Sequence, residues 1–169
     1  MNAAASVRAF VGVGANLGDA RAQVLAGIAA LRELPGAELV ACSSLYASAP
    51  LDAPGPDYVN AVVALDTTLP ADALLSALHA IEARHGRVRS TPNAPRTLDL
   101  DLLLFGQQRS DTAALCLPHP RLHQRAFVLK PLLEIAPQLH VEGLGALSSW
   151  LQRASDQAVR RLPGEGSQR

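Results

Sequence analysis

Residues 96–106, Arg96-Thr97-Leu98-Asp99-Leu100-Asp101-Leu102-Leu103-Leu104-Phe105-Gly106, constrain this chain more than any other stretch. Leu98, Leu100 and Leu102 alternate with Thr97, Asp99 and Asp101, the run then turns wholly apolar, and a glycine closes it. That is the pattern of a β-strand. Side chains two apart on a strand share a face, so Asp99 and Asp101 stand side by side, roughly 7 Å apart along the backbone. Aspartate is a poor strand former and like charges on one face repel, so the pair calls for water or a bridging cation. Oxygen ligands without thiolate or histidine favour magnesium over zinc. Arg96 just upstream, with Arg87 and Arg89 in the preceding loop, adds groups suited to phosphate oxygens. The plain alternative is a solvated acidic face beside an exposed basic loop.

With 169 residues the chain is long enough for a full core, and a single domain over 1–169 is expected, its core about 7–153 and its tail frayed. The formal net charge is zero, so no basic footprint points to nucleic acid or an anionic membrane. Lys130 is the only lysine and sits in no Gly-x-x-x-x-Gly-Lys run, which removes a Walker-type phosphate loop. Cys42 and Cys116 are too few and too isolated for a disulfide framework or a metal knuckle. The apolar run Ala9 to Val13 is short and passes straight into Asn16-Leu17-Gly18-Asp19, so it does not read as a signal peptide. No stretch is long enough to span a membrane. The expectation is a soluble, cytoplasmic protein.

A first strand is expected from Val7 to Val13, closed by Gly12-x-Gly14 and the turn formers Asn16 and Gly18, and then a helix carrying Val24, Leu25, Ile28, Leu31 and Leu34 and stopped by Pro35-Gly36. The spacing Gly12, Gly14, Gly18 is one residue too long for a dinucleotide fingerprint, which favours a tight strand-to-helix turn. Glu38 to Tyr46 reads as a second strand, residues 49–57 as a proline-dense loop, and Tyr58 to Leu65 as a third strand with Tyr58, Asn60, Val62 and Ala64 on one side. Leu74, Leu75, Leu78, Ile81 and Glu82 mark a second helix ending at Gly86. Past the acidic strand come a hairpin near Gln107 to Ser110, a helix from Phe127 to Ile135 stopped at Pro137, and a short helix between Leu144 and Leu151. His119 is stiffened by Pro118 and Pro120 on either side. The order strand, helix, strand, strand, helix, strand predicts an α+β fold, an α/β sandwich. It is a ferredoxin-like split β-α-β with a mostly antiparallel sheet, helices packed on it and extra C-terminal helices. The acidic strand is expected beside the first strand, in the middle of the sheet.

The segment Arg96 to Gly106 closely resembles the signature of the 6-hydroxymethyl-7,8-dihydropterin pyrophosphokinase family. Four more segments agree in order and spacing: Gly12 to Asp19, Ser43-Ser44-Leu45-Tyr46, Asp57 to Ala61, and Pro118-His119-Pro120-Arg121 through Arg125-Ala126-Phe127. The resemblance implies transfer of pyrophosphate from ATP to the pterin hydroxymethyl oxygen, with AMP as the other product. By similarity, Asp99 and Asp101 bind two Mg2+ ions, and Arg87 and Arg96 join them as catalytic residues. Arg89, His119 and Arg125 match ATP-side positions, with Leu102 and Leu115 at the adenine. Tyr58 and Phe127 match the aromatics that sandwich the pterin, Asn60 its hydrogen-bonding partner, and Ser48 and Leu51 its rim. The chain departs from the family at Asn93, His79 and Pro120, which bears on affinity and loop closure more than on reaction type. It also implies a monomer acting on small molecules, with loops 48–57 and 87–95 closing after ATP binds. Two other readings stand beside it: a non-catalytic pterin- or nucleotide-binding relative, and a metal-dependent phosphohydrolase using the same carboxylates.

Overall fold

The pattern of burial along each strand builds one antiparallel sheet with helices on both faces. The computed structural model describes residues 5–49, 56–85 and 98–164. The main elements are β1 (Val7–Ala15), α1 (Ala20–Arg32), β2 (Ala37–Cys42), β3 (Tyr46–Ser48), β4 (Tyr58–Thr67), α2 (Ala71–Arg84) and β5 (Asp99–Phe105). There follow the hairpin β6 (Ser110–Asp111) and β7 (Cys116–Leu117), α3 (Ala126–Ile135), a second hairpin β8 (His140–Val141) and β9 (Gly145–Ala146), α4 (Leu147–Arg153) and β10 (Val159–Arg161). The sheet runs β10-β3-β4-β1-β5, with β2 also paired to β4.

β1 and β4 are central because both of their faces are apolar. Ala9, Val11 and Val13 pack with Ala61, Val63 and Leu65 under α1 and α2, while Phe10 packs with Val62 and Ala64 under α3 and α4. The acidic strand β5 is adjacent to β1, as expected, but it is not in the middle of the sheet. Among the described residues its only strand partner in that sheet is β1. Its other edge meets the chain near β7, where the His119 N–H donates to the Leu103 carbonyl at 2.9 Å. An edge is where a sheet best tolerates charged side chains, since it needs neighbours on only one side.

Two boundaries and one buried stripe also differ from what the sequence pattern predicts. β1 runs on to Ala15, so Gly12 and Gly14 lie inside the strand rather than closing it, and the turn is left to Gly18, one of the two turn formers expected there, at φ +66°. The second strand is broken into β2 and β3, which lie end to end along β4. Ser43 makes the break: its N–H donates to the Val62 carbonyl, and its hydroxyl accepts the Val62 N–H and donates to the Ser44 carbonyl. In α1 the buried stripe uses Gly27 rather than Leu25, which is exposed. A Cβ at Gly27 would come within 2.8 Å of Leu98, so this glycine sets how closely α1 approaches β5.

Beyond Arg153, where the sequence pattern offers no further element, β10 pairs with β3. No helix among the described residues is long and apolar enough to cross a membrane.

Candidate active site

The site is built on the sheet face that α3 covers only in part. In the cross-strand register Asp99 lies opposite Gly14, Gly14 opposite Asn60, and Asn60 opposite Tyr46; in the next row Asp101 faces Gly12 and Gly12 faces Val62. Two glycines in the middle of these rows leave the floor bare between the acids and the amide. A Cβ on Gly14 would meet Asn60 Oδ1 at 3.0 Å, and one on Gly12 would touch Leu103. The result is a cleft of about 530 Å³, within the range of roughly 300–1,000 Å³ usual for small-molecule sites.

Its walls come from distant parts of the chain. β5 contributes Asp99, Asp101 and Leu103, β4 contributes Tyr58 and Asn60, β3 contributes Ser48, and the start of α3 brings Arg125 and Phe127. His119, Pro120 and Arg121 close the side next to the acids. Asn60 is buried, and its Nδ2 donates to Ser48 Oγ at 2.8 Å. The Arg125 guanidinium lies 5.4 Å from the centre of the Phe127 ring, a cation–π approach that steadies both groups. Below them Glu134, at the far end of α3, accepts hydrogen bonds from the Ser44 N–H and hydroxyl and from the Tyr46 hydroxyl. Burial, and then this carboxylate, push the Tyr46 phenol well above its ordinary value. Glu82 on α2 accepts the Leu100 N–H at 2.7 Å, tying the acidic strand to that helix from the opposite face.

Charge in the cleft is ordered by burial. Burial lowers the His119 pKa, Arg125 and Arg121 lower it further, and Asp99 opposes them. The ring is therefore held neutral near physiological pH. Its Nδ1 accepts the Arg121 N–H at 3.2 Å, which leaves Nε2 as the nitrogen that carries the proton. Burial also lowers Arg125 from its ordinary value, against the pull of Asp101 and Asp99. Guanidinium stays charged regardless, so the cleft holds at least one desolvated cation beside its acids.

The described residues gather no group of three or more histidines, cysteines or acids that would cage a metal by themselves. Two carboxylates on an open floor instead suit magnesium, which usually takes one or two protein oxygens and completes its shell with water and phosphate.

Of the residues singled out from the sequence, Ser48, Tyr58, Asn60, Asp99, Asp101, His119, Arg125 and Phe127 meet in this cleft. Leu102 does not: it points through the sheet into the core beneath α1 and α2, as the strand alternation requires, and Leu115 packs at the border of that core. Leu51, Arg87, Arg89 and Arg96 lie outside the described residues, as does most of both loops expected to close. Of the departures, Pro120 lines the cleft, whereas Asn93 falls outside the described residues. Arg121 and the glycine floor had no role assigned from the sequence. Arg121 stood in the His119 motif, and the period-two match between Gly12/Gly14 and Asp101/Asp99 becomes visible only once β1 and β5 are paired in register.

An α+β sandwich whose half-open face joins paired carboxylates, a desolvated arginine and an aromatic slot is the architecture of an enzyme acting on small, phosphate-bearing substrates. The family model described as 7,8-dihydro-6-hydroxymethylpterin-pyrophosphokinase (HPPK) matches residues 10–137, and this chain belongs to that family. It is 46% identical over 158 residues to the 2-amino-4-hydroxy-6-hydroxymethyldihydropteridine pyrophosphokinase of Pseudomonas aeruginosa, covering 93% of this chain and 98% of that one. The enzyme of the same name from Haemophilus influenzae is 37% identical over 157 residues, 92% of this chain and 98% of the relative. Among solved structures, HPPK-DHPS in complex with substrates superposes with a TM-score of 0.68 at 14% identity, over 89% of this chain and 44% of that one. Wild-type Plasmodium falciparum HPPK-DHPS with pteroate gives a TM-score of 0.68 at 12% identity, over 90% and 43%. The chain thus spans under half the length of those solved chains, and the likeness to them is one of fold.

Proposed function

We infer that this chain transfers the pyrophosphoryl group of ATP to the hydroxymethyl oxygen of 6-hydroxymethyl-7,8-dihydropterin, releasing AMP. One observation supports this most: Asp99 and Asp101 share a glycine-floored cleft with Tyr58, Asn60 and Phe127. A planar heteroaromatic ring needs stacking faces and an amide that both donates and accepts, and a nucleotide's phosphates need cations. Each demand has a named residue within one cavity.

In the reaction the hydroxymethyl oxygen bonds to the β-phosphorus and gives up its proton to solvent, the bond from that phosphorus to the α,β-bridging oxygen breaks, and AMP leaves with the electron pair. Asp99 and Asp101 would hold two magnesium ions, which, when bound, neutralise phosphate charge and bring the oxygens into line. Arg125 and neutral His119 hold phosphate oxygens, the histidine by donating from Nε2, and Arg87, Arg89 and Arg96 extend that set. Phe127 and Tyr58 fix the ring plane, and Asn60, with its amide held by Ser48, reads the ring edge. Ser48 and Leu51 complete the ring's rim. Catalysis is then chiefly positioning and electrostatics. The protein acts as a cytoplasmic monomer on these small molecules, without nucleic acid or membrane.

The test is incubation with ATP, magnesium and the hydroxymethylpterin while following nucleotide products. Pterin-dependent AMP is the expected outcome. ADP or phosphate without pterin indicates a phosphohydrolase, and tight binding without turnover indicates a binding protein.

A further inference from the structure

Gln157, between α4 and β10, is tied to the cleft without lining it. Its Oε1 accepts the Ala126 N–H at 2.9 Å and its Nε2 donates to the Gln124 carbonyl at 2.8 Å. These are the backbone groups on either side of Arg125, so one side-chain amide grips that residue much as a paired strand would. Only one amide orientation satisfies both bonds, since the flipped form would set NH₂ against N–H and oxygen against carbonyl.

The grip meets a local need. α3 begins at Ala126, and its N-cap, Arg125, makes no side-chain capping bond. Pro131 inside α3 has no N–H to offer the Phe127 carbonyl. The first turn of α3 is therefore short of its own hydrogen bonds, yet that turn and its cap carry both Arg125 and Phe127. The segment holding Gln157 is separately anchored: β10 pairs with β3, the Leu162 N–H donates to the Leu45 carbonyl, and Lys130 of α3 donates to the Val159 carbonyl. It can serve as a fixed reference for the helix start.

We propose that Gln157 is a positioning residue that sets Arg125 and Phe127 in the cleft from a segment lying past the residues that the family model matches. The proposal rests on the transfer reading for its kinetic consequence, though the clamp itself is a matter of backbone bonding. Gln157→Met keeps the side chain's volume and removes both hydrogen bonds; Gln157→Glu keeps the acceptor for Ala126 and loses the donor to Gln124.

In the full chain, Gln157→Met should speed amide exchange at Ala126 about tenfold and raise KM for ATP and for the pterin about fivefold, with kcat within about twofold of wild type. Gln157→Glu should regain the Ala126 protection and part of both KM values. A change in melting temperature with both KM values unmoved would mean a merely structural role and overturn the proposal, as would unchanged Ala126 exchange in Gln157→Met. If wild-type protein makes no AMP, the transfer reading falls by itself, and Ala126 exchange still decides the clamp.

Discussion

The two faces of β5 belong to one seven-residue strand but do opposite work. Leu100 and Leu102 enter a closed core with α1 and α2, whereas Asp99 and Asp101 stand over a cleft that two glycines keep empty. The first face is packed with apolar side chains, and its buried carboxylate, Glu82, accepts the Leu100 N–H. The second is left underpacked, and the sheet tolerates this because the first face carries the stability. A site can be carved into a thin sheet when its reverse side is a complete core, since burial of apolar area there holds the strands that the site needs in register.

That division can be tested from its strongest consequence downward. If these carboxylates hold the metal as proposed, Asp99→Asn or Asp101→Asn should lower kcat about 10³-fold, with an unchanged urea midpoint. A variant that unfolded instead would break the separation of the faces. Leu100→Ala should show the converse, losing about 3 kcal/mol of stability in denaturant titration as a buried side chain leaves a cavity, while the protein that stays folded keeps its KM for the pterin. Gly14→Ala would put a methyl 3.0 Å from Asn60 Oδ1, and the resulting overpacking should raise pterin KM roughly tenfold. Unchanged KM in that variant would show that the bare floor is dispensable.

The smallest effect is a pH dependence. The His119 pKa lies below its ordinary value in the folded protein because of burial and then Arg125, so the unfolded chain takes up the proton first. Stability should therefore fall as pH drops below about 6.5 and level off once the folded value is passed. His119→Gln should make the urea midpoint fall less between pH 7.5 and pH 5.0 than it does in wild type. An identical fall in both proteins would show that the cleft histidine is not what couples this face to acid.

How much was readable beforehand varies residue by residue. The alternation through Leu98 to Leu102 predicts which side chains of β5 share a face, and the structure agrees at each position. Asn60 and Tyr58 were on one side of their strand for the same reason. The position of β5 at the sheet edge was not readable, because strand order depends on which strands offer two apolar faces, and that comparison is made across the chain rather than within a segment. The break at Ser43 was not readable from the Ser43-Ser44 pair, since a serine hydroxyl that serves the Val62 N–H leaves no periodic trace.

Local chemistry by itself determined the acidic pair, the strand and helix periods and the family motifs, because these depend on neighbours at fixed spacing. Tertiary structure alone decided that Gly12 and Gly14 are a floor rather than a turn, that Arg121 joins the acids, and that Gln157 reaches back to the start of α3. Those relations are set by pairing register and by contacts between segments dozens of residues apart, and no local pattern encodes a distance that only folding creates.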